Sequence, residues 1–266
     1  DSLLFVSENG MGKQTKFEAF NAQHRGGKGI TGITTRDEDF VEKVLVANTH
    51  TDMLFFTTRG RVFQLRCYQV PEAGRTAKGT AIVNLLPLMD GEKVTTAIPI
   101  SSFEGDNYLT MITKRGLIKK TALEEYNTNR KGGVYAISIN EDDELIEAVL
   151  TTGNDELIMA SSEGYCIRFN ENTVRLVGRT AMGVKSMRLA EGAYMVDLAV
   201  VHENSEILTV TSHGYGKRSS VEEYPLQGRA GKGVKAGVFN DKTGDLVSLK
   251  VLDDNLDVMM ITDNGI

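Results

Sequence analysis

The sequence predicts an all-β fold, a propeller-like array of four-stranded blades, and three observations predict it. A mostly apolar four-residue run, then Ser or Thr, two variable residues and Gly occurs six times, at 3–10, 53–60, 109–116, 157–164, 207–214 and 258–265. The closing glycines are spaced by 50, 56, 48, 50 and 51 residues. A second glycine follows each of the first five, at 29, 79, 133, 183 and 233, offset by 19 residues in four repeats and 17 in the third. Each copy would be a small strand unable to bury its face alone, so the copies must pack on one another.

The elements follow in order within each repeat. Ser7, Thr57, Thr113, Ser161, Thr211 and Thr262 open a four-residue turn that Gly closes. That chemistry suits a type I hairpin turn whose last residue sits at positive φ. The flanking runs are rich in Val, Ile, Leu, Phe and Met, as half-buried strands should be. A third strand is expected from the second glycine, as at 80–86, and a fourth at 41–47, 94–100, 145–151, 195–201 and 246–252. Four short strands make one blade. Ten residues after each turn glycine stands Phe20, Val70, Tyr126, Val174 or Tyr224, read as core. No 3.6-residue apolar period is sustained, so no long helix is expected. The repeats run approximately 1–50, 51–106, 107–154, 155–204 and 205–254, with a partial sixth at 255–266, in one domain spanning 1–266. The sixth stops just past its turn glycine, and the chain opens directly on a strand, so a longer parent chain is expected.

Composition sets bounds on function. The 266 residues are 41 % hydrophobic, ample for a core. No signal peptide and no membrane-spanning apolar run is visible. Cys67 and Cys166 are isolated, read as core or strand residues, and point to a reducing cytoplasm. His50, His202 and His213 fall in or beside loops without a ligand cluster, so neither a metal site nor a catalytic constellation is expected. The net charge of −6 is unevenly spread. Windows 13–28, 59–78, 114–131, 168–188 and 217–235 hold 25 of the 30 Lys and Arg but 7 of the 36 Asp and Glu. Their net charge is +18 against −24 elsewhere. Repeated once per blade, such a window becomes a cationic belt, which is a statement about partners.

The first window contains Gln23-His24-Arg25-Gly26-Gly27-Lys28-Gly29. Interleaved glycines and cations let a backbone approach a phosphate while offering N–H groups and charge. Weaker forms recur at 74–79, 129–133, 178–183 and 228–233, and four of the five loops keep Arg four residues before the closing glycine. GxxxxGK[ST] is absent, so this is not a nucleotide P-loop. The expected DNA-contacting rim is Lys13, Lys16, Arg59, Arg61, Arg66, Arg75, Lys78, Lys119, Lys120, Arg130, Lys131, Arg168, Arg179, Lys217, Arg218, Arg229 and Lys232.

These residues resemble the C-terminal domain of DNA gyrase A over essentially the whole chain. The stretch 23–29 is similar to that family's signature box, and 45–50, 83–88, 214–218 and 259–263 resemble it too. The resemblance implies a six-bladed β-pinwheel, its sixth blade incomplete here, in which neighbouring blades exchange a strand. It implies duplex DNA wrapped around the basic rim without sequence preference and fastened at Gln23, His24, Arg25, Gly26, Gly27, Lys28 and Gly29. His24 stands where a cation is usual and is mostly neutral at pH 7. The parent would be a cytoplasmic, nucleoid-associated bacterial enzyme, an ATP-dependent type II topoisomerase introducing negative supercoils. It would assemble as A2B2 from gyrase A, including its N-terminal part, and gyrase B. ATP and Mg would belong to that assembly, while this chain carries no catalytic residue or cofactor and is monomeric alone. The related topoisomerase IV domain, binding DNA without full wrapping, and a protein-binding propeller scaffold are the alternatives. The near-intact box favours gyrase, and the absence of Trp disfavours tryptophan-aspartate propellers.

Overall fold

The computed structural model describes residues 2–7, 11–16, 41–47, 51–66, 80–81 and 85–252, with side chains at 51–66 and 85–252. The first repeat supplies β1 (Ser2–Ser7), β2 (Met11–Lys16) and β3 (Val41–Ala47). The second supplies β4 (Asp52–Thr57), β5 (Arg61–Arg66), β6 (Thr80–Ala81) and β7 (Val94–Ile100). The third supplies β8 (Tyr108–Thr113), β9 (Leu117–Ala122), β10 (Val134–Tyr135) and β11 (Leu145–Thr151). From the fourth come β12 (Glu156–Ser161), β13 (Tyr165–Asn170), β14 (Val184–Lys185) and β15 (Met195–Val201). From the fifth come β16 (Glu206–Thr211), β17 (Gly216–Ser220), β18 (Val234–Lys235) and β19 (Leu246–Leu252).

These strands form antiparallel sheets ordered β3-β1-β2-β6, β10-β5-β4-β7, β11-β8-β9-β14, β15-β12-β13-β18 and β17-β16-β19. The two-residue strand in each four-stranded sheet comes from the following repeat. Of the long strand expected at 80–86, Thr80–Ala81 is a strand among the described residues and Leu85–Leu86 is not, and Thr80–Ala81 completes the preceding sheet instead of its own. The partial sixth repeat lies outside the described residues. Two compact units are present among those described. One holds the residues up to Ser102 together with Thr128–Val134, and the other holds Phe103–Asn127 and Tyr135 onward.

The hairpin turns form for the reason their residues suggest. The N–H of Gly60, Gly116, Gly164 and Gly214 donates to the carbonyl of Thr57, Thr113, Ser161 and Thr211 at 2.9, 3.0, 2.9 and 3.0 Å. The four glycines sit at φ of 76°, 96°, 84° and 84°, where a Cβ is strained. The hydroxyl has a second task. Thr57, Thr113 and Thr211 Oγ1 accept from the N–H of Arg61, Leu117 and Tyr215, fixing the return strand. Each of these turn-opening residues also lies at a β-bulge against the last strand of its repeat, as in Thr113–Leu145 and Ser161–Met195.

The apolar runs are continuous because both faces of the inner strands are covered. On β12, Leu157 and Met159 join Ile112, Ile118 and Phe169 in one cluster. The alternating Ile158 and Ala160 join Ile207, Val221 and Leu249 in another. Each fully buried Leu or Ile contributes about 2 kcal/mol, so one strand ties its sheet to a neighbour on either side. Short 3-10 turns at Leu123–Tyr126, Glu171–Thr173 and Val221–Glu223 follow the hairpins. They bring Tyr126, Val174 and Tyr224 into the core as the sequence predicts. Tyr126 donates its hydroxyl to the Ala136 carbonyl at 2.9 Å.

The second glycine is where one repeat meets the one before. A Cβ on Gly183 would lie 2.6 Å from the Ile118 carbonyl oxygen, and one on Gly233 2.3 Å from that of Cys166. Both glycines have positive φ, 97° and 78°. Immediately afterwards, Val184–Lys185 pairs with Ile118–Leu117 and Val234–Lys235 with Cys166–Tyr165. Gly192 has a similar φ of 80° but open space around it. Gly192→Ala is therefore expected to cost about 1 kcal/mol from backbone strain alone, and Gly183→Ala at least about 2 kcal/mol more. Equal urea midpoints for the two variants would contradict the close-approach role.

Candidate nucleic-acid interface

The basic windows divide by where their cations sit. The first group lies at hairpin tips. Arg59 is exposed there, and its Nη2 donates to the Asp90 carbonyl at 3.1 Å. At the next tip described, Arg115 pairs with Asp142 at 3.5 Å and its N–H donates to Asp143 at 2.9 Å. The tips thus adjoin acidic loops, which offset their charge.

A second group lies on the strands and is spent inside the protein. Arg61 is buried, pairing with Glu92 through both carboxylate oxygens and donating to the Pro87 and Gly132 carbonyls. Burial alone would raise the Glu92 carboxyl, but Arg61, Thr57 and the Met89 N–H outweigh it and hold it below the usual range. Lys119 is fully buried, its ammonium donating to the Ala136 and Arg179 carbonyls. Lys120 is buried 3.8 Å from Glu171, whose carbonyl it meets at 3.1 Å. Burial raises the Glu171 carboxyl, and backbone and side-chain hydrogen bonds and Lys120 only partly oppose this. Arg168 pairs with Glu156 at 2.6 Å and donates to the Val221 and Tyr224 carbonyls. Arg66 and Arg218 are exposed but pair with Asp52 and Glu206. The expectation that Arg61, Lys119 and Lys120 line an exposed rim is corrected by their burial: both faces of these strands are covered, so even the adjacent Lys119 and Lys120, which alternation turns to opposite faces, are both enclosed.

The third group lies on the loops that carry the exchanged strands. Arg130, Lys131 and Lys232 are exposed, and Arg179 and Arg229 half-buried. Lys217, exposed on β17, donates to the Ala236 carbonyl at 3.1 Å. These loops run along the sheet edge: Val177 and Gln227 donate to the Lys120 and Arg168 carbonyls at 3.0 and 2.9 Å. Four exposed cations in the same segments, Arg175, Lys185, Arg188 and Lys235, escaped the sequence reading. Their signal was available, because Lys185 and Lys235 both stand two residues after a closing glycine. Lys13 and Lys16 lie on β2. The box at Gln23, His24, Arg25, Gly26, Gly27, Lys28 and Gly29, with Arg75 and Lys78, lies outside the described residues, as do His50 and Cys67.

His202 and His213 are exposed, the latter with Nδ1 3.0 Å from the Lys242 carbonyl. Burial pushes the Cys166 thiol up to about 12. Among the described residues no group of His, Cys, Asp and Glu could hold a metal ion, and no helix is long and apolar enough to cross a membrane.

The interior cations have measurable consequences. Removing Arg61 leaves the Glu92 carboxylate buried without its cation, so Arg61→Met is expected to cost about 3 kcal/mol in urea unfolding. Burial first, and Arg179 to a smaller degree, bring the Lys119 ammonium down from 10.5 to about 7 against the opposing pull of Glu125. Below pH 7 both folded and unfolded states carry the proton and the cost is fully present. Between pH 7 and 10.5 only the unfolded state holds it, so stability rises with pH. Lys119→Met is expected to flatten that rise between about pH 7 and pH 9.5. An unchanged pH slope would show that Lys119 is not the group responsible.

With this geometry in place, comparison with known proteins is informative. The family described as DNA gyrase C-terminal domain, beta-propeller, matches residues 1–48, 51–101, 107–152, 155–202 and 205–253. DNA gyrase A of Halalkalibacterium halodurans is 51 % identical over 99 % of this chain and 32 % of its own length. Its counterpart from Clostridium acetobutylicum is 43 % identical over the same shares. The chain thus spans about a third of the length of these curated relatives. A solved gyrase A C-terminal domain superposes with a TM-score of 0.79 at 26 % identity, covering 95 % of this chain and 83 % of that one. The C-terminal domain of a topoisomerase IV superposes with 0.78 at 28 %, covering 95 % and 78 %. The fold is therefore the all-β pinwheel shared by both enzymes and does not separate them; the sequence relatives do. The chain belongs to the DNA gyrase C-terminal domain family.

Proposed function

We propose that this chain binds duplex DNA with little sequence preference and wraps it along the basic loops of a single pinwheel domain. The observation that carries this reading is the placement of unneutralised cations. Arg130, Lys131, Arg175, Lys185, Lys232 and Lys235 recur on the segments beside β10, β14 and β18, exposed and free of carboxylate partners among the described residues. The acidic side chains gather instead in other loops, as at Glu141, Asp142 and Glu144. By resemblance, the box at 23–29 fastens the wrap on the first blade.

Wrapping must overcome duplex stiffness. A half-turn over roughly 40 bp costs on the order of 10 kcal/mol elastically. Many phosphate contacts can supply this through counterion release, without reading bases. The absence of any recognition helix among the described residues accords with that. In the parent enzyme the wrap would present a positively crossed segment to the DNA gate and so set negative supercoiling. That enzyme would use ATP and Mg, pair gyrase A with gyrase B as A2B2, and work in the bacterial cytoplasm on the nucleoid. The isolated chain would be monomeric and non-catalytic.

Titrating a duplex of about 40 bp with the purified chain from roughly 50 to 300 mM salt tests the reading. Each phosphate neutralised adds about −0.9 to the slope of log K against log salt. About six or more contacts, and so a slope steeper than about −5, are expected. A flat dependence would remove the basis for the proposal.

A further inference from the structure

Two arginines in the basic loops are held by carbonyls of the preceding exchanged strand, which sets them apart from the carboxylate-paired Arg61, Arg168 and Arg218. Arg179 stands four residues before Gly183, and its Nη1 donates to the Tyr135 carbonyl at 2.5 Å. Arg229 stands four residues before Gly233, and its Nη1 donates to the Lys185 carbonyl at 2.6 Å. Tyr135 and Lys185 are equivalent: each lies two residues after the closing glycine of the preceding repeat. The bond therefore repeats, one blade on, with the same atoms. It belongs to a recurring seam. The N–H of Ser138 donates to the Ala181 carbonyl at 3.2 Å, and the N–H of Arg188, its counterpart, to that of Gly231 at 2.7 Å.

The partner type matters. Arg61, Arg168 and Arg218 are fixed by carboxylates, which cancel their charge. Arg179 and Arg229 are fixed by carbonyls, which hold the guanidinium plane and leave its charge intact. In both residues the Nη2 group donates to no protein atom among the described residues. A guanidinium is a planar fork, so anchoring one edge pre-aims the other. Ordering a long flexible side chain at the moment of binding costs about 0.5–1.5 kcal/mol, and here that ordering is done in the free protein.

We propose that Arg179 and Arg229 are braced phosphate clamps, one at each of two successive blade junctions, each taking a DNA phosphodiester oxygen on Nη2 while Nη1 stays on the carbonyl of the preceding exchanged strand. This rests on the DNA-binding reading above. It adds that contact is made at discrete, rigid points and that the same side chain closes the seam between repeats. DNA binding then tightens the seam, and loosening the seam weakens binding. Arg25 and Arg75 hold the same offset in the sequence but lie outside the described residues.

The test compares Arg229→Lys and Arg229→Ala with the unaltered chain, using the same duplex over the same salt range. Arg229→Ala is expected to make the salt slope shallower by about one unit and to weaken binding about tenfold at roughly 100 mM salt. Arg229→Lys keeps the charge but loses the fixed fork. It is expected to retain the slope and weaken binding about threefold, within the ordering cost of about 0.5–1.5 kcal/mol. Should the Ala variant fail to fold, the Lys variant decides alone. A lowered melting temperature with slope and affinity unchanged in either folded variant would overturn the clamp and leave a purely structural staple. A flat salt dependence in the unaltered chain is a different failure, visible without any variant, and removes the DNA-binding reading itself.

Discussion

The close approach of a glycine to the backbone of the preceding hairpin is the constraint on which this architecture depends. Gly183 and Gly233 sit at positive φ with no room for a Cβ, and directly after them two residues pair with the edge of the previous sheet. A two-residue strand contributes few hydrogen bonds, so it holds only if the chain can reach its seat without strain. Once seated, it covers part of a sheet edge that would otherwise invite other strands. The loop delivering it must cross that edge, and it carries its side chains into solvent. Presentation of cations is thus a consequence of strand exchange, repeated wherever the exchange occurs.

The same geometry explains why basic residues in one window have different fates. On strands covered on both faces, Lys119 turns to carbonyls, while Arg61 finds Glu92 and Lys120 sits by Glu171. These charges are internal fixtures whose loss would leave buried polar groups without partners. On the delivering loops, Lys131, Lys185, Lys232 and Lys235 keep their charge in solvent. Net charge over a window overstates what a partner would feel. The useful quantity is the charge left after internal pairing.

Much of the fold was legible because turn chemistry is local. The hydroxyl and glycine of each hairpin turn are fixed by bonds spanning three or four residues, so Thr113 and Gly116 declare themselves in sequence. The buried ring of Tyr126 was equally plain, since its position recurs as Phe or Val. The second glycine was visible as a repeat, yet its cause was not, because its constraint comes from Ile118 or Cys166, far away in sequence. For the same reason the pairing of Thr80–Ala81 with the preceding repeat was not foreseen. The interior place of Lys119 was illegible because the carbonyls that hold it are set by tertiary structure. Arg175 and Lys185 were missed for want of weight given to positions around the loop, although they lay inside the basic window.

The proposed wrap requires that free charge be spaced along successive blades closely enough to bend a stiff duplex, since binding alone needs no such order. Relaxed circular plasmid incubated with this chain and a nicking-closing enzyme separates bending from binding most directly. After protein removal, the account expects topoisomers shifted to positive linking difference, by an amount that grows with the chain-to-DNA ratio. A topoisomer distribution identical to that of protein-free plasmid, at ratios where the chain demonstrably occupies the DNA, would contradict it.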